Sequence, residues 1–277
     1  MKIAILSGKG GTGKTTVATN LALNYKNAVL VDADVEEPNS HIFIKPDIKK
    51  TESVYNNYPV VDSEKCDLCG DCGRFCHYNA ILPAKKSVLV FKEICHDCGG
   101  CKIVCKKDAI SYEKREIGKI FSGKGIAGIP FIYGDLNVGE VSGVKIISKL
   151  KEIVEQEDLV IIDSPPGTSC ATVEAIEGVD YAVIVSEPTP FGVSDMKMVV
   201  EMLEKMHIPF GIVVNKAGLG DDEIYEYCQG KAIEVLENIP FSEEIAKMYA
   251  VGEMMCTGQE QYNTYFENII HKIKNIQ

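Results

Sequence analysis

The stretch KIAILSGKGGTGKTT, residues 2–16, decides the fold of this chain. Its apolar first part, Lys2 to Leu6, is predicted to form a short buried strand. The residues from Gly8 to Thr15 match the pattern GxxxxGK[ST], and a helix is predicted from Lys14 to about Tyr25. Glycines in such a loop let backbone N–H groups surround phosphate oxygens, and the helix N-terminus adds positive potential. This order of strand, loop and helix predicts a phosphate-binding loop for a nucleotide.

The side chains of this loop have separate predicted roles. Lys14 is expected to reach the β and γ phosphates of the nucleotide, and the Thr15 hydroxyl is expected to bind Mg²⁺. Further contacts with the nucleotide are expected from Gly8, Gly10, Gly11, Thr12, Gly13 and Thr16.

Strands and helices alternate along much of the remaining chain. Apolar strands are predicted at 28–31, 159–163, 181–186 and 210–214. Helices are predicted at about 142–155, 193–206, 222–229, 243–251 and 259–274. Alternation of this kind after a phosphate loop predicts an α/β fold with a doubly wound, mostly parallel sheet.

Three aspartates stand at or just beyond the ends of predicted strands. Asp32 and Asp34 follow the second strand, and Asp163 ends the strand that begins at Leu159. The carboxyl ends of parallel strands face the ligand crevice, so these three carboxylates are expected near the nucleotide. Glu36 and Glu37 are assigned to an exposed acidic loop.

Eight of the eleven cysteines form two copies of one spacing. The copies are Cys66-x2-Cys69-x2-Cys72-x3-Cys76 and Cys95-x2-Cys98-x2-Cys101-x3-Cys105, offset by 29 residues, and an Ala-Ile pair follows each at the same offset. Such a repeat indicates a metal module. Zinc sites and disulfides are the alternatives, but zinc normally uses two cysteine pairs per ion, and disulfides are rare in reducing compartments.

The cysteine repeat resembles the bacterial ferredoxin that carries two 4Fe–4S clusters, in which the fourth cysteine of each run binds the other cluster. The resemblance implies that one cluster is held by Cys66, Cys69, Cys72 and Cys105, and the second by Cys95, Cys98, Cys101 and Cys76. One feature departs from the pattern: the proline that usually follows the fourth cysteine is His77 in one copy and Lys106 in the other.

The phosphate loop contains an additional lysine, Lys9, and so resembles the deviant Walker A loop of the MinD/ParA/Mrp/nitrogenase-iron-protein class. In that class the lysine reaches the partner's phosphates across a dimer that sandwiches the nucleotides. The resemblance therefore implies an ATP-dependent homodimer, or a heterodimer with a paralogue. The alternative for Lys9 is a solvated loop side chain.

The same resemblance implies roles for residues further along. Asp34 would orient the attacking water, Asp32 would lie near the metal, and Asp163 would hold Mg²⁺ through water, so that Lys9, Lys14, Asp34 and Asp163 form the catalytic set. Residues 164–168 resemble switch II, in which the Gly167 N–H would serve the γ-phosphate. Asn215 resembles the residue that recognises the base, while Pro240 and Phe241 resemble the loop that lies against the adenine.

The cysteine module interrupts the α/β pattern after its second strand. We therefore predict an inserted, α+β ferredoxin-like domain at 59–116 and a discontinuous P-loop ATPase domain at 1–58 and 117–277. The return path holds Gly118, Gly123, Gly125 and Gly128, which predicts a loop with conformational freedom. The combined layout resembles MinD-superfamily ATPases with a ferredoxin insertion.

Composition and charge exclude several classes of function. The net charge of −11 argues against nucleic-acid and membrane binding. The absence of a charged leader and of a long apolar span predicts a cytoplasmic protein. An apolar face that includes Tyr262, Phe266 and Ile273 is predicted to pack the last helix onto the sheet.

Three cysteines lie outside the repeat. Cys170 follows switch II, where the nitrogenase iron protein has a cluster ligand shared by two subunits, but the second cysteine of that site has no counterpart here. Cys170, Cys228 and Cys256 are each predicted to be ordinary buried thiols.

Three functions fit this combination of features. The favoured hypothesis is an ATPase that gates electron transfer from two 4Fe–4S clusters to a redox partner. The second is an assembly factor that loads or releases an Fe–S or other metal cluster onto a partner. The third is a positioning ATPase of the MinD/ParA kind in which the clusters are structural.

Overall fold

The computed structural model describes residues 1–257 and 259–276 of the chain. The strands within this part are β1 Lys2–Leu6, β2 Val29–Asp32, β3 Asp47–Val61, β4 Ile81–Pro83, β5 Val88–Val90, β6 Ile110–Lys124, β7 Pro130–Leu136, β8 Val160–Asp163, β9 Tyr181–Ser186, β10 Phe210–Ala217 and β11 Val235–Pro240. The α-helices are α1 Lys14–Asn24, α2 Ser40–Ile44, α3 Asp71–Phe75, α4 Gly100–Ile103, α5 Val144–Ile153, α6 Cys170–Ile176, α7 Pro190–Met206, α8 Glu223–Lys231, α9 Glu243–Ala250 and α10 Asn263–Ile276.

The chain forms two compact units. The first unit comprises Met1–Thr51, Ile120–Asp135 and Val144–Gln277, and the second comprises Glu52–Lys119 and Leu136–Gly143. Strands β3 and β6 contribute residues to both units, so the chain passes between them through continuous strands. The predicted insertion at 59–116 lies inside the second unit, which begins earlier and takes in a separate segment after β7.

A sheet with the strand order β11-β10-β9-β1-β8-β2-β7-β6-β3 organises the first unit. From β11 to β7, each strand pairs with its neighbours in parallel. Strands β1, β8 and β9 are almost wholly buried, because helices cover both faces of a parallel sheet. The predicted mostly parallel α/β sheet is thus confirmed.

The last helix, α10, packs against α1 and β11, as its apolar face predicted. Tyr262, just before it, and Phe266, Ile269 and Ile273 within it belong to the main hydrophobic core. Among the described residues, no helix is both long enough and apolar enough to cross a lipid bilayer.

Two of the four glycines after the cysteine module lie in a strand, so the predicted loop is wrong for this part of the return path. Gly118 and Gly123 lie inside β6. A Cβ on Gly123 would stand 2.2 Å from the Asp47 carbonyl oxygen, and one on Gly125 would stand 1.9 Å from Ile44 Cγ2. These glycines therefore allow close packing of neighbouring segments, a role that the sequence pattern does not distinguish from flexibility.

The second unit combines short helices with small strands. The β4–β5 hairpin is antiparallel, and α3 and α4 begin after Gly70 and Gly99, which have positive φ angles of 85° and 75°. The segment Leu136–Gly143 is fastened to this unit, because the Asn137 amide donates to the Ile117 carbonyl at 2.9 Å and Glu140 pairs with Arg115.

Candidate functional site

A cavity of about 370 Å³ lies in the first unit around the phosphate loop. Its size is that of a small-molecule site, and it lies beyond the carboxyl ends of parallel strands. The predicted site residues that line it are Gly10, Gly11, Gly13, Lys14, Thr15, Thr16, Asp34, Asn215, Pro240 and Phe241. We call it the phosphate-loop cavity.

Several lining residues carry no motif that would have identified them. The sequence predicts that Glu37 lies in an exposed acidic loop; its side chain is exposed, and it also lines the cavity. Ser242, Ile245 and Tyr249 belong to the start and body of α9, which follows directly after Phe241. Their only sequence signal is their position after the predicted adenine loop.

Lys14 is the buried cation of this cavity. Its Nζ lies 2.8 Å from Asp163 Oδ1 and 3.6 Å from Asp34 Oδ2. Burial alone would lower the pKa of Lys14, but the carboxylates of Asp163 and Asp34 outweigh it and raise the pKa. The lysine is therefore held charged at the start of α1, with two of the three predicted carboxylates beside it.

Asp32 is fully buried and fastens the loop that carries Asp34. Its oxygens accept hydrogen bonds from the amides of Asp34 at 3.1 Å, Asn39 at 3.0 Å and Ser40 at 2.9 Å. The Ser40 hydroxyl in turn donates to Asp163 Oδ2 at 3.0 Å. Asp32 thus links the segment after β2 to the aspartate that ends β8.

Burial raises the pKa values of two of these aspartates. The pKa of Asp32 rises to about 7, through burial first and the nearby Asp163 carboxylate second. Burial raises the pKa of Asp34 to about 6, although Lys14 opposes this. Several carboxylates crowded into one buried site favour the entry of a cation.

Asn215 braces the phosphate loop from the end of β10. Its Nδ2 donates to the Thr12 carbonyl at 2.7 Å, and a Cβ on Gly13 would stand 2.2 Å from the same nitrogen. Gly13 also has a φ of 95°, a conformation that favours glycine. The amide predicted to recognise the base therefore holds the loop in this conformation.

Lys9 lies outside the cavity lining. Its side chain is 39% exposed, and its Nζ lies 4.0 Å from Glu187 Oε2. Lys216 Nζ lies 2.5 Å from the other carboxylate oxygen of Glu187, Oε1. The Lys9 ammonium is thus free to move at the cost of one weak ion pair.

Three other predicted contact residues also lie outside the cavity lining. A Cβ on Gly8 would stand 2.5 Å from the backbone of Asp195, so Gly8 permits close packing against α7. Thr12 is buried, and its hydroxyl has no hydrogen-bond partner among the described residues. The Gly167 amide donates to the Ser7 carbonyl at 2.8 Å, a bond that must break before this amide can serve a phosphate.

The cysteines of the repeat line two cavities within the second unit. One, the first cysteine cavity, is lined by Cys66, Cys69, Cys72 and Cys105. The other, the second cysteine cavity, is lined by Cys76, Cys95, Cys98 and Cys101. Each cavity thus gathers three cysteines of one copy and the fourth cysteine of the other, which is the grouping that the ferredoxin resemblance implies.

Backbone amides point at the crossing cysteines in both copies. The Ala80 amide donates to Cys76 Sγ at 3.3 Å, and the Ala109 amide donates to Cys105 Sγ at 3.4 Å. In residues 1–257 and 259–276, no group of three or more His, Cys, Asp or Glu side chains is arranged to hold a single metal ion.

The three remaining cysteines differ in exposure. Cys228 is buried, as predicted, and burial raises its pKa to about 11. Cys256 is half-buried, and burial again raises its pKa to about 11. Cys170 is exposed as the first residue of α6, so the prediction of a buried thiol there is wrong: the buried side of this short helix is formed by Thr172, Ala175 and Ile176.

The chain is similar to known proteins over nearly its whole length. The sequence model described as the CobQ/CobB/MinD/ParA nucleotide binding domain matches residues 3–255. Two uncharacterized proteins of Methanocaldococcus jannaschii are each 33% identical over 99% of this chain, which covers 97% and 96% of their lengths. An iron-sulfur cluster carrier protein of the same organism is 27% identical over 99% of this chain and 85% of its own length.

Among solved structures, the septum site-determining protein MinD of Pyrococcus horikoshii, complexed with Mg-ADP, superposes with a TM-score of 0.60. The match covers 99% of this chain and 96% of that one at 17% sequence identity. A likeness at this level of identity establishes the fold.

Proposed function

Because the chain belongs to the CobQ/CobB/MinD/ParA nucleotide-binding family, we propose that it is a Mg²⁺-dependent ATPase with two resident 4Fe–4S clusters that delivers electrons to a partner protein. Its two compact units have separate roles. The first unit binds and hydrolyses ATP, and the second unit holds the clusters.

The arrangement of Lys14, Thr15, Asp34 and Asp163 supports the ATPase role. With a nucleotide in the phosphate-loop cavity, Lys14 would bind the β and γ phosphates, and Thr15 together with the adjacent Asp163, acting through water, would hold the Mg²⁺. Asp34 orients the attacking water. Nucleotide binding then redirects Lys14 from the carboxylate of Asp163, 2.8 Å away, to phosphate oxygens, and this leaves Asp163 for the metal.

The exposure of Lys9 supports an ATP-dependent dimer. Its side chain neither lines its own phosphate-loop cavity nor is buried, and the 4.0 Å pair with Glu187 holds it weakly. In the dimer, Lys9 leaves Glu187 and contacts the partner's phosphates, while Glu187 keeps Lys216 as its counter-ion.

The grouping of the eight thiols into two sets of four is the observation that carries the redox role. The donor chemistry fits, because a 4Fe–4S cluster takes four cysteine thiolates, and amides directed at the sulfurs stabilise their charge. When bound, such clusters supply one-electron transfer. With four protein ligands each, they fit resident cofactors better than a cargo that must be released.

A second candidate function is that of a cluster carrier or assembly factor. It is favoured by the relative in Methanocaldococcus jannaschii that is named an iron-sulfur cluster carrier protein. In that case a cluster would be the cargo, and ATP would control its release.

Retention of iron separates the two functions. We expect the anaerobically purified, dithionite-reduced protein to reduce a one-electron acceptor protein faster with ATP than with ADP, while its own iron content stays constant. The measurement follows the acceptor spectrum, then separates the proteins and assays iron in each. ATP-dependent movement of iron to a cluster-free acceptor would favour the carrier function instead. If ATP changed neither the rate of electron transfer nor the location of the iron, both functions would be contradicted.

A further inference from the structure

The crossing cysteines of the two repeat copies accept equivalent backbone hydrogen bonds. The bond from the Ala80 amide to Cys76 and the bond from the Ala109 amide to Cys105 are offset by the same 29 residues as the sequence repeat. The amide donors at the crossing cysteines are therefore equivalent, and by themselves they predict similar surroundings for two clusters.

A side-chain contact breaks this equivalence. The Tyr112 hydroxyl oxygen lies 3.3 Å from Cys101 Sγ, and Tyr112 lines the second cysteine cavity. The corresponding residues of the other copy are Cys72 and Pro83. A proline has neither an O–H nor an N–H to donate, so Pro83 cannot repeat the contact.

The direction of the Tyr112 bond follows from the chemistry of a cluster ligand. A thiolate that binds iron has no proton, and a phenol with an ordinary pKa near 10 keeps its own at neutral pH. The hydroxyl must therefore donate to the sulfur. Because reduction adds a negative charge to the cluster, a donor at its sulfur stabilises the reduced form more than the oxidised form.

We propose that Tyr112 donates a hydrogen bond to the Cys101 thiolate and so raises the reduction potential of one cluster only, the one held by Cys76, Cys95, Cys98 and Cys101. This inference rests on the proposed function, since it requires the two clusters. It makes the halves of the repeat unequal electron acceptors, although their cysteine spacing is identical.

Fixed charges also act on both cavities. Asp97 lines the second cysteine cavity and accepts from the Asn57 amide at 3.0 Å and from Asn57 Nδ2 at 2.9 Å. Lys107 lines the first cysteine cavity, with Asp67 3.8 Å away. These groups contribute to the absolute potentials but are unchanged when only the Tyr112 hydroxyl is removed. The comparison of the native protein with Tyr112→Phe therefore isolates the hydroxyl.

The test is an anaerobic redox titration of the full chain, followed by EPR spectroscopy. In Tyr112→Phe we expect one of the two potentials to fall so that reduction of that cluster becomes about tenfold less favourable, or ~59 mV for a one-electron couple. The other potential and the iron content stay constant. Tyr58→Phe is the matched control, because the Tyr58 hydroxyl bonds to Glu113 at 2.7 Å in the same unit. It should change neither potential.

Unchanged potentials, or an equal shift of both, in a Tyr112→Phe protein with full iron content would overturn this inference and leave the proposed function standing. Absence of iron from the native protein would instead overturn the proposed function. If Tyr112→Phe fails to hold iron, the native chain grown with ring-fluorinated tyrosine replaces it in the titration. The expected change in reduction potential then has the opposite sign. Fluorine makes the hydroxyl a stronger donor, so one potential should rise, and no rise would overturn the role of Tyr112.

Discussion

Lys14→Ala is expected to abolish nucleotide-dependent activity, with ATP turnover reduced on the order of 100-fold or more. The side chain is the buried cation of the phosphate-loop cavity, 2.8 Å from Asp163 and 3.6 Å from Asp34. Its loss removes the contact with the β and γ phosphates and leaves these carboxylates without their counter-ion. Both effects oppose the binding of a polyanion. Steady-state ATPase rates and the equilibrium binding of a non-hydrolysable ATP analogue measure the result.

Two further variants serve as comparisons for Lys14→Ala. Lys231→Ala removes an exposed ion pair with Glu204 in the same unit and should leave turnover unchanged. Asp34→Ala should keep analogue binding while turnover slows on the order of 100-fold, since Asp34 acts on the attacking water. A Lys14→Ala protein that binds the analogue as tightly as the native chain would contradict the assigned role of Lys14.

Anaerobically purified protein should contain about eight iron and eight sulfide per chain, and Cys76→Ala should lose about half of each. The structure groups Cys76 with the cysteines of the second copy, so the double variant of Cys76 and Cys95 should lose no more iron than Cys76→Ala alone. The double variant of Cys76 and Cys66 should lose both clusters. Iron and sulfide assays, together with the visible absorption of the clusters, measure the outcome.

Two single variants test which thiols account for the iron content. Cys69→Ala should also lose about half of the iron, from the first cysteine cavity. Cys228→Ala removes a buried thiol of the first unit and should lose none. If the double variant of Cys66 and Cys76 kept one intact cluster, the crossed grouping would be wrong, and two bound zinc ions in place of iron would contradict the cluster assignment altogether.

The features predicted well from sequence are those in which local pattern and tertiary context agree. The predicted bounds of β1 and β9 match those of the structure, and the helix after the phosphate loop ends within one residue of its expected end. These elements combine a buried apolar run with an unambiguous glycine loop or turn beside it. The crossed grouping of cysteines was implied by the resemblance of the repeat to a bacterial ferredoxin, and the two cysteine cavities are lined by the same two groups.

The features missed depend on contacts between distant residues. The long strands β3 and β6 were missed since their exposed and polar positions lack clean alternation, and the glycines of β6 resemble those of a loop. Glu37 and Tyr249 are far apart in sequence, and both line the phosphate-loop cavity because α9 lies beside the phosphate loop. The bond from Asn215 to the Thr12 carbonyl joins residues 203 positions apart, and no local pattern records it.

In the proposed function, the nucleotide state of the first unit and the redox state of the clusters are coupled. Coupling between sites is reciprocal, so a change in cluster potential on binding an ATP analogue must equal, in free energy, the change in analogue affinity on reduction. The most direct measurement is a redox titration of both clusters with Mg-ADP and with a non-hydrolysable ATP analogue. Analogue affinity is measured in parallel for the oxidised and the dithionite-reduced protein.

We expect a shift equivalent to about 1–3 kcal/mol in both experiments. We also expect that shift to disappear in Lys9→Ala, which should bind nucleotide but fail to form the ATP-dependent dimer. Identical potentials with the two nucleotides, together with identical analogue affinity in the two redox states, would contradict the coupling and leave the clusters as cargo or as structural groups.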